Sequence, residues 1–242
     1  MIRRALPLLV AAGPLLAQGR PLLRLAEGPQ SGEWSVPIQI LFWMTLLVLL
    51  PAAMVSVTPF LRLLVVFHFL RQALGTQTTP SNQVLAGLAL FLTLALMQPT
   101  GDRIWREAVE PLERGEITQR QALERGAGPL KQFLTRYARE KDIALMVEVS
   151  RAPRPHNPSE LDLRVLVPAY ILSELRVGFQ IGAVLFLPFL IIDLLVASIT
   201  LSLGMMQLPP VMISAPFKIL LFVLVDGWNL VVGSLVKSFQ GG

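Results

Sequence analysis

The chain has 242 residues, of which 53% are hydrophobic and only 15% are charged, against about 25% in soluble globular domains. Its mean hydropathy is +0.60 and it contains no cysteine, which excludes disulfides and thiolate metal sites. The formal net charge of +5 does not indicate a nucleic-acid binder, because the most charged segment, residues 101–164, has 12 Lys/Arg and 11 Asp/Glu and therefore no basic face. The composition is typical of a membrane protein.

Residues 1–20 predict a signal peptide. Arg3 and Arg4 precede an uncharged stretch, residues 5–18, of the length of a signal-peptide apolar region, and cleavage near Ala17 would fit. Leu15 breaks the usual small-x-small pattern, so an uncleaved anchor is the alternative. A cleaved signal peptide would place the mature N-terminus outside the cytoplasm.

Residues 34–100 predict a first pair of hydrophobic helices. Residues 34–61 and 72–101 are free of charge and long enough to cross a bilayer, and Pro51 is expected to kink the first run. The linker between them carries basic residues and no acid, which indicates a cytoplasmic position by the positive-inside rule. These residues are Arg62, His68 and Arg71.

Residues 101–164 form a polar island, which the second crossing would deliver to the periplasm. Apolar residues recur at helical spacing, so we expect an extramembrane helical domain. Within it, Thr118 is expected to cap a helix that Gly126 ends. The proline-rich residues 151–160 predict a linker.

Residues 165–239 predict a second hydrophobic hairpin, with helices over 167–203 and 211–238. Gly204 is expected to end the first helix, and Pro209 and Pro210 to start the second. Five charged residues before Lys237 interrupt this apolar segment, and a lipid-exposed span would hold each at a cost of several kcal/mol. We expect them to be buried and to stabilise packing between helices or subunits: Glu174, Arg176, Asp193, Lys218 and Asp226.

The sequence contains no recognisable catalytic or nucleotide-binding motif, so we expect a protein that is not an enzyme and has no cofactor. Two histidines, His68 and His156, are too few for a histidine metal site. Two alternatives remain open. Asp193 and Asp226 could form the aspartyl pair of an intramembrane protease, or the buried charges could relay ions in a small transporter.

Three long blocks resemble the FliP family of flagellar biosynthetic proteins, which is related to the SctR subunit of injectisomes. They are "NQVLAGLALFLTLALMQP" at 82–99, "PAYILSELRVGFQIGAVLFLPFLIIDLLVASITLSLGMMQLPP" at 168–210 and "APFKILLFVLVDGWNLVVGSL" at 215–235. "FLRLLVVFHFLRQALGTQTTP" at 60–80 also matches, so the resemblance covers residues 38–239.

The resemblance implies an all-α membrane protein whose copies form a ring, a pentamer in the family, together with FliQ and FliR. It implies a subunit of the export gate at the flagellar basal body in the bacterial inner membrane, which passes unfolded rod, hook and filament proteins outward. It also implies that some apolar helices lie in a shell of protein above the bilayer.

The family's methionine-rich loop forms a gasket around the closed pore, and the resemblance places Met205, Met206, Gln207 and Leu208 on that loop. Many relatives have a third methionine where this chain has Gln207. The resemblance therefore implies where the loop lies, but Gln207 does not fit a seal made of methionine alone.

Overall fold

The computed structural model describes residues 36–76, 78–151, 161–204 and 209–240. Within these ranges all regular structure is helical, which confirms the predicted all-α class. The predicted signal peptide, His156 and most of the proline-rich linker lie outside the described residues. The first part of the chain contains α1 (Val36–Val57), α2 (Phe60–Ala73), α3 (Asn82–Ile104) and, after one π-helical turn (Trp105–Val109), the short α4 (Glu110–Glu113).

The second part of the chain contains two helices of the polar island and then three apolar helices. They are α5 (Gln119–Tyr137), α6 (Glu140–Ser150), α7 (Leu163–Ser202), α8 (Pro210–Leu224) and α9 (Gly227–Gln240). Three stretches are long and apolar enough to cross a membrane: Pro37–Val57, Asn82–Glu113 and Leu163–Ser202. A fourth crossing results if α8 and α9, which are bent by 65°, act as one span, in agreement with the expected four hydrophobic helices.

The chain divides into two compact units, with the boundary inside α1 after Pro51. The described part of the first unit is helical, runs through Pro51 without a break, and exposes its large apolar side chains from Ile38 to Leu50. Exposed apolar side chains over this length are typical of a helix that lipid or another protein surrounds.

In the second unit, the segment predicted as a linker folds as α2 and packs against α7. The two helices run parallel, since Arg62 contacts Glu174 near the start of α2 and Phe69 faces Gly182 further along. A Cβ on Gly182 would lie 2.6 Å from the Phe69 ring, and one on Gly178 would lie 3.1 Å from Val65. The two glycines, one turn apart, therefore allow α2 to approach α7 closely.

The second unit has two hydrophobic cores. The first joins α2 to α3, α7, α8 and α9 through the buried side chains Leu63, Val66, Phe67, Leu70, Leu85, Phe189, Phe222, Val231 and Leu235. The second joins the polar island to the start of α7 through Leu134, Ala138, Val147, Val165, Leu166 and Tyr170. The start of α7 is therefore fixed against the island, and its middle against α2.

Two predicted features of the helices are corrected and one is confirmed. The expected helix over residues 211–238 is broken at Val225 and Asp226. The backbone of Asp226 is left-handed, with a φ of +50°. Gly126 does not end α5, which continues through it to Tyr137. The glycine instead allows α5 to lie close to the π-helical turn, since a Cβ on Gly126 would be 3.3 Å from Ala108. Thr118 does cap α5, in a reciprocal capping box with Gln121.

Candidate functional site: buried charges beside α7

Three polar clusters lie along α7, and each joins it to another part of the second unit. We name them by their α7 residue: the Ser173 cluster, the Glu174 cluster and the Asp193 cluster. Polar groups buried in an apolar environment are stable only when they are paired, so the partners of each cluster determine which helices are held together.

The Glu174 cluster is a two-pronged ion pair between α2 and α7. Arg62 donates from Nε to Oε2 of Glu174 at 2.8 Å and from Nη2 to Oε1 at 2.5 Å, and the side chains are only 5% and 0% exposed. Arg62 also donates from Nη1 to Ser238 Oγ at 3.1 Å, and its guanidinium carbon lies 3.9 Å from the centre of the Phe239 ring. The pair therefore also holds the end of α9.

The Ser173 cluster attaches the polar island to α7. Ser173 donates through Oγ to Asp142 Oδ2 at 2.7 Å, and Oγ accepts from the backbone N–H of Arg139 at 2.9 Å. Ser173 and Asp142 are both buried. A serine between a carboxylate and a backbone N–H fixes the start of α6 on α7 through directional bonds, which apolar packing alone does not provide.

The Asp193 cluster connects the two arms of the α7–α8 hairpin and the end of α2. Lys218 donates from Nζ to Asp193 Oδ2 at 2.6 Å and to the carbonyl oxygen of Ala73 at 3.2 Å. Ser214 donates to the other carboxylate oxygen of Asp193 at 2.5 Å. Lys218 and Ser214 are buried and Asp193 is half-buried, so the cluster fixes the register of the two arms.

Arg176 and Asp226, which were also predicted as packing charges, are exposed in the single chain. Asp226 accepts from the side-chain amide of Asn229 at 3.1 Å. Their predicted role in subunit packing stays a prediction. Of the five charges, Glu174, Asp193 and Lys218 are paired within the chain.

Sequence reasoning did not identify the partners of these charges. Arg62 was assigned to a linker, and Asp142 and Ser173 carried no signal that set them apart from other polar residues of the island and of α7. The one detectable signal was that Arg62 directly follows a 28-residue charge-free run. A charged residue at such a position either lies at the membrane surface or pairs with a buried partner.

The predicted gasket residues Met205, Met206, Gln207 and Leu208 lie outside the described residues. The flanks are described: α7 ends at Ser202, Gly204 has a left-handed φ of +73°, and α8 begins at Pro210. These flanks agree with the predicted turn between two helices.

The hairpin arms that lead to this loop expose most of their large apolar side chains. On the second half of α7 these are Val184, Leu187, Leu190, Ile191, Leu194, Leu195, Ile199 and Leu201, and on α8 they are Val211, Met212, Phe217, Ile219, Leu220, Leu221, Val223 and Leu224. Apolar surface of this extent requires lipid or another protein around it.

The geometry gives no support to the protease alternative. Asp193 is bonded to an ammonium and a hydroxyl, whereas Asp226 is bonded to an amide, and two carboxylates that share a proton would instead contact each other. In the described ranges there is no group of three or more His, Cys, Asp or Glu side chains that could hold a metal ion.

Comparison with known proteins places this geometry in a family. The model of the FliP family matches residues 43–235, which include the α7 residue of each cluster and the paired residues Arg62, Asp142, Ser214 and Lys218. The chain belongs to the FliP family. It is 49% identical over 215 residues to the flagellar biosynthetic protein FliP of Pectobacterium carotovorum subsp. carotovorum, an alignment that covers 89% of this chain and 83% of that protein.

Two other bacteria have similar relatives. The flagellar biosynthetic protein FliP of Cereibacter sphaeroides is 45% identical over 96% of this chain and 79% of its own length. That of Bacillus subtilis (strain 168) is 46% identical over 85% of this chain and 93% of its own length. Membership of the FliP family implies a role in flagellar export. The members of this family are structural components of the export apparatus and are not known as enzymes. The apolar helices agree with a membrane protein.

Proposed function

We propose that this chain is a pore-forming subunit of the flagellar type III protein export gate, in the inner membrane at the flagellar basal body. The observation that carries the proposal is membership of the FliP family over residues 43–235. The gate would pass unfolded rod, hook and filament proteins across the cytoplasmic membrane, and flagellum assembly would depend on it. Energy would come from partner proteins, because the sequence has no nucleotide-binding motif.

The proposed gate is an assembly of several copies, five as in the family, with FliQ and FliR. The exposed apolar faces of α7 and α8 support this proposal, since one chain alone leaves them uncovered. The three polar clusters would keep each copy rigid, so that a ring of copies meets through faces of defined shape. Arg176 and Asp226, exposed in one chain, are available to pair between copies.

The proposed closure of the pore is at the turn between α7 and α8. Copies of Met205 and Met206 around an axis would form a flexible apolar constriction, which excludes water and ions by dewetting. Gln207 would weaken such a seal if it faced the axis, and Leu208 would strengthen it.

The first test is export itself. A strain that lacks this gene should release no hook or filament protein into the medium, and a plasmid copy should restore release. Normal export in the deleted strain would contradict the proposal.

The second test concerns the seal. Replacing both Met205 and Met206 by Ala should raise the ion conductance of the membrane while the assembly remains intact on a native gel. Met212→Ala is the matched control, because Met212 is an exposed methionine on α8 outside the loop, and it should leave conductance unchanged. Equal conductance in the double variant and the control would exclude a methionine seal.

A further inference from the structure

A groove of about 600 Å³ lies between α2, α3 and α7. This volume is within the range of about 300–1,000 Å³ that is usual for small-molecule sites. Its lining is apolar except for two residues, His68 and Asn82, both of which contact Arg71 and therefore lie together. The apolar lining comes from Leu64, Val65, Phe69, Leu85, Ala86 and Phe179.

Arg71 lies beside this polar end and contacts both of its polar lining residues. Its Nη1 donates to Asn82 Oδ1 at 2.5 Å and to the carbonyl oxygen of Pro80 at 3.3 Å, and its Nη2 lies 3.1 Å from His68 Nδ1. A guanidinium has five N–H groups, so the Nε–H and the second Nη2 N–H have no acceptor in the portion of the chain that is described. A guanidinium can bind two phosphate oxygens as a fork.

His68 adds a third donor. Because Nη2 of Arg71 can only donate, Nδ1 of His68 accepts, and the ring proton of the neutral imidazole is then on Nε2. The His68 side chain is exposed, so this N–H is accessible to a ligand. The Nε2–H of His68 and the two N–H groups of Arg71 are therefore available near the polar end of the groove.

The charge of Arg71 has no carboxylate partner in the described ranges. Residues 34–101 contain no Asp or Glu, and the carboxylate that reaches the end of α2, Asp193, is already held by Lys218 and Ser214. The groove thus combines an apolar wall with a positive charge that has no carboxylate partner. This combination is complementary to an anionic amphiphile.

We propose that this groove binds an anionic phospholipid, with one acyl chain along the apolar wall and the phosphate on Arg71 and His68. The polar end is at the end of α2 that is distant from the polar island, because the start of α2 contacts Glu174, next to the Ser173 that holds the island, whereas the end of α2 contacts Lys218 on α8. The sequence predicts a cytoplasmic position there, where anionic lipids are attracted to basic pockets between helices. The proposal is independent of the export function and has its own test.

The test is native mass spectrometry of the full chain in mild detergent, titrated separately with dioleoyl phosphatidylglycerol and dioleoyl phosphatidylcholine. Wild type should bind phosphatidylglycerol more tightly. Arg71→Gln should lose about fivefold in phosphatidylglycerol affinity, the factor expected for one cation near a lipid headgroup, and should weaken phosphatidylcholine binding less, because the choline ammonium offsets the charge of the same phosphate. Arg176→Gln, an exposed cation outside the groove, is the control and should match wild type.

Two further variants separate the acyl chain from the headgroup. Ala86→Trp fills the apolar wall and should weaken both lipids by about tenfold, since each excluded CH₂ group contributes about 0.8 kcal/mol. Arg71→Lys keeps the charge without the fork and should lie between wild type and Arg71→Gln. Circular dichroism checks that each variant remains helical, and the Arg71 variants test the proposal even where Ala86→Trp does not fold.

Four results would overturn the proposal. The first is equal binding of the two lipids by wild type, and the second is identical behaviour of Arg71→Gln and Arg176→Gln. The third is an Ala86→Trp variant that changes the masses of protein oligomers and not lipid binding, which would assign the groove to a second copy of the chain. If only Arg71→Gln loses binding and Ala86→Trp does not, the site binds an anion alone and the lipid proposal is wrong.

Discussion

Glu174→Gln should destabilise the chain by removing the charge that Arg62 requires. Both side chains are almost fully buried, at 0% and 5% exposure, and they share two hydrogen bonds. Breaking a buried ion pair by changing one partner costs about 3–5 kcal/mol, because the other charge remains without compensation. Glutamine retains the volume and one carbonyl oxygen, and Ser238 and the Phe239 ring remain beside the guanidinium, so we expect a loss of about 3 kcal/mol in unfolding free energy, the low end of that range.

The assay is equilibrium unfolding of the full chain in mixed micelles with increasing SDS, followed by far-UV circular dichroism. The control is Glu124→Gln, which breaks the pair between Arg120 and Glu124 on α5, whose side chains are 89% and 66% exposed. An exposed pair four residues apart on a helix contributes about 0.3–0.5 kcal/mol, so this control should be almost as stable as wild type. A double variant, Arg62→Met with Glu174→Leu, removes both charges and should lose less than Glu174→Gln alone.

The reasoning is refuted if Glu174→Gln and Glu124→Gln lose equal stability, because the pair would then be hydrated like a surface pair. It is also refuted if the double variant is less stable than the single one. That result would mean that the helices depend on the attraction between the charges and not on avoiding an unpaired charge.

The remaining predictions concern packing and caps, and the same SDS titration measures each of them. Gly182→Ala should lower the unfolding free energy by about 1–3 kcal/mol, because the added Cβ would overlap the Phe69 ring. The control Gly87→Ala has open space around it and should be neutral or stabilising by up to about 1 kcal/mol. Equal effects of the two variants would contradict the close approach of α2 to α7. Tyr170→Phe should not reduce stability, because the buried hydroxyl has no hydrogen-bond partner in the ranges that the structure describes, and a loss above about 1 kcal/mol would point to an undetected partner. Thr118→Ala should cost about 1 kcal/mol through loss of the α5 cap, and an unchanged midpoint would show that the start of α5 does not limit stability.

The helices were predictable because their signals are local. Long apolar runs, the Thr118 cap and the glycine and prolines around residues 204–210 each depend on neighbours in sequence. The structure has helices over the apolar runs, although the run 211–238 is broken, and it has helix ends at Thr118 and at the flanks of the 204–210 turn. The family was identifiable for the same reason, since its blocks are continuous stretches of sequence.

The partners of the charges were not predictable, because pairing depends on residues far apart in sequence. Arg62 and Glu174 are 112 residues apart, and only the parallel packing of α2 on α7 brings them together. The positive-inside rule counts charges that face water at the membrane surface, so a guanidinium neutralised by a buried carboxylate carries no information about topology. The interpretation of Arg62 as a linker charge failed for that reason, while Arg71 and His68 are at least partly exposed and still fit the rule.

The break inside residues 211–238 was missed although Asp226 and Gly227 form a dipeptide that is typical of turns. Val225 and Asp226 lie in an apolar run, and the backbone bends at Asp226 by adopting a left-handed conformation that aspartate tolerates better than most residues. The opposite error occurred at Gly126, where a glycine serves close packing within a continuous helix. A glycine or aspartate inside a helical pattern can either end the helix or lie within it. Tertiary contacts, which are not visible in the sequence, decide between the two.

The distribution of polar contacts along α7 explains how one helix can be both a rigid support and an assembly surface. Its first half is covered by α2 and the polar island and is fixed by the Ser173 and Glu174 clusters, so the stability of the single chain is concentrated there. Its second half exposes apolar side chains and packs on α8 through Phe189 and Phe222, an apolar contact that is not directional and does not by itself fix the register of the two helices. The Asp193 cluster supplies that register, because a carboxylate, an ammonium and a hydroxyl satisfy one another in one alignment, whereas apolar faces slide with little change in contact area. A hairpin aligned in this way can present a defined apolar surface to neighbouring chains before any neighbour is present.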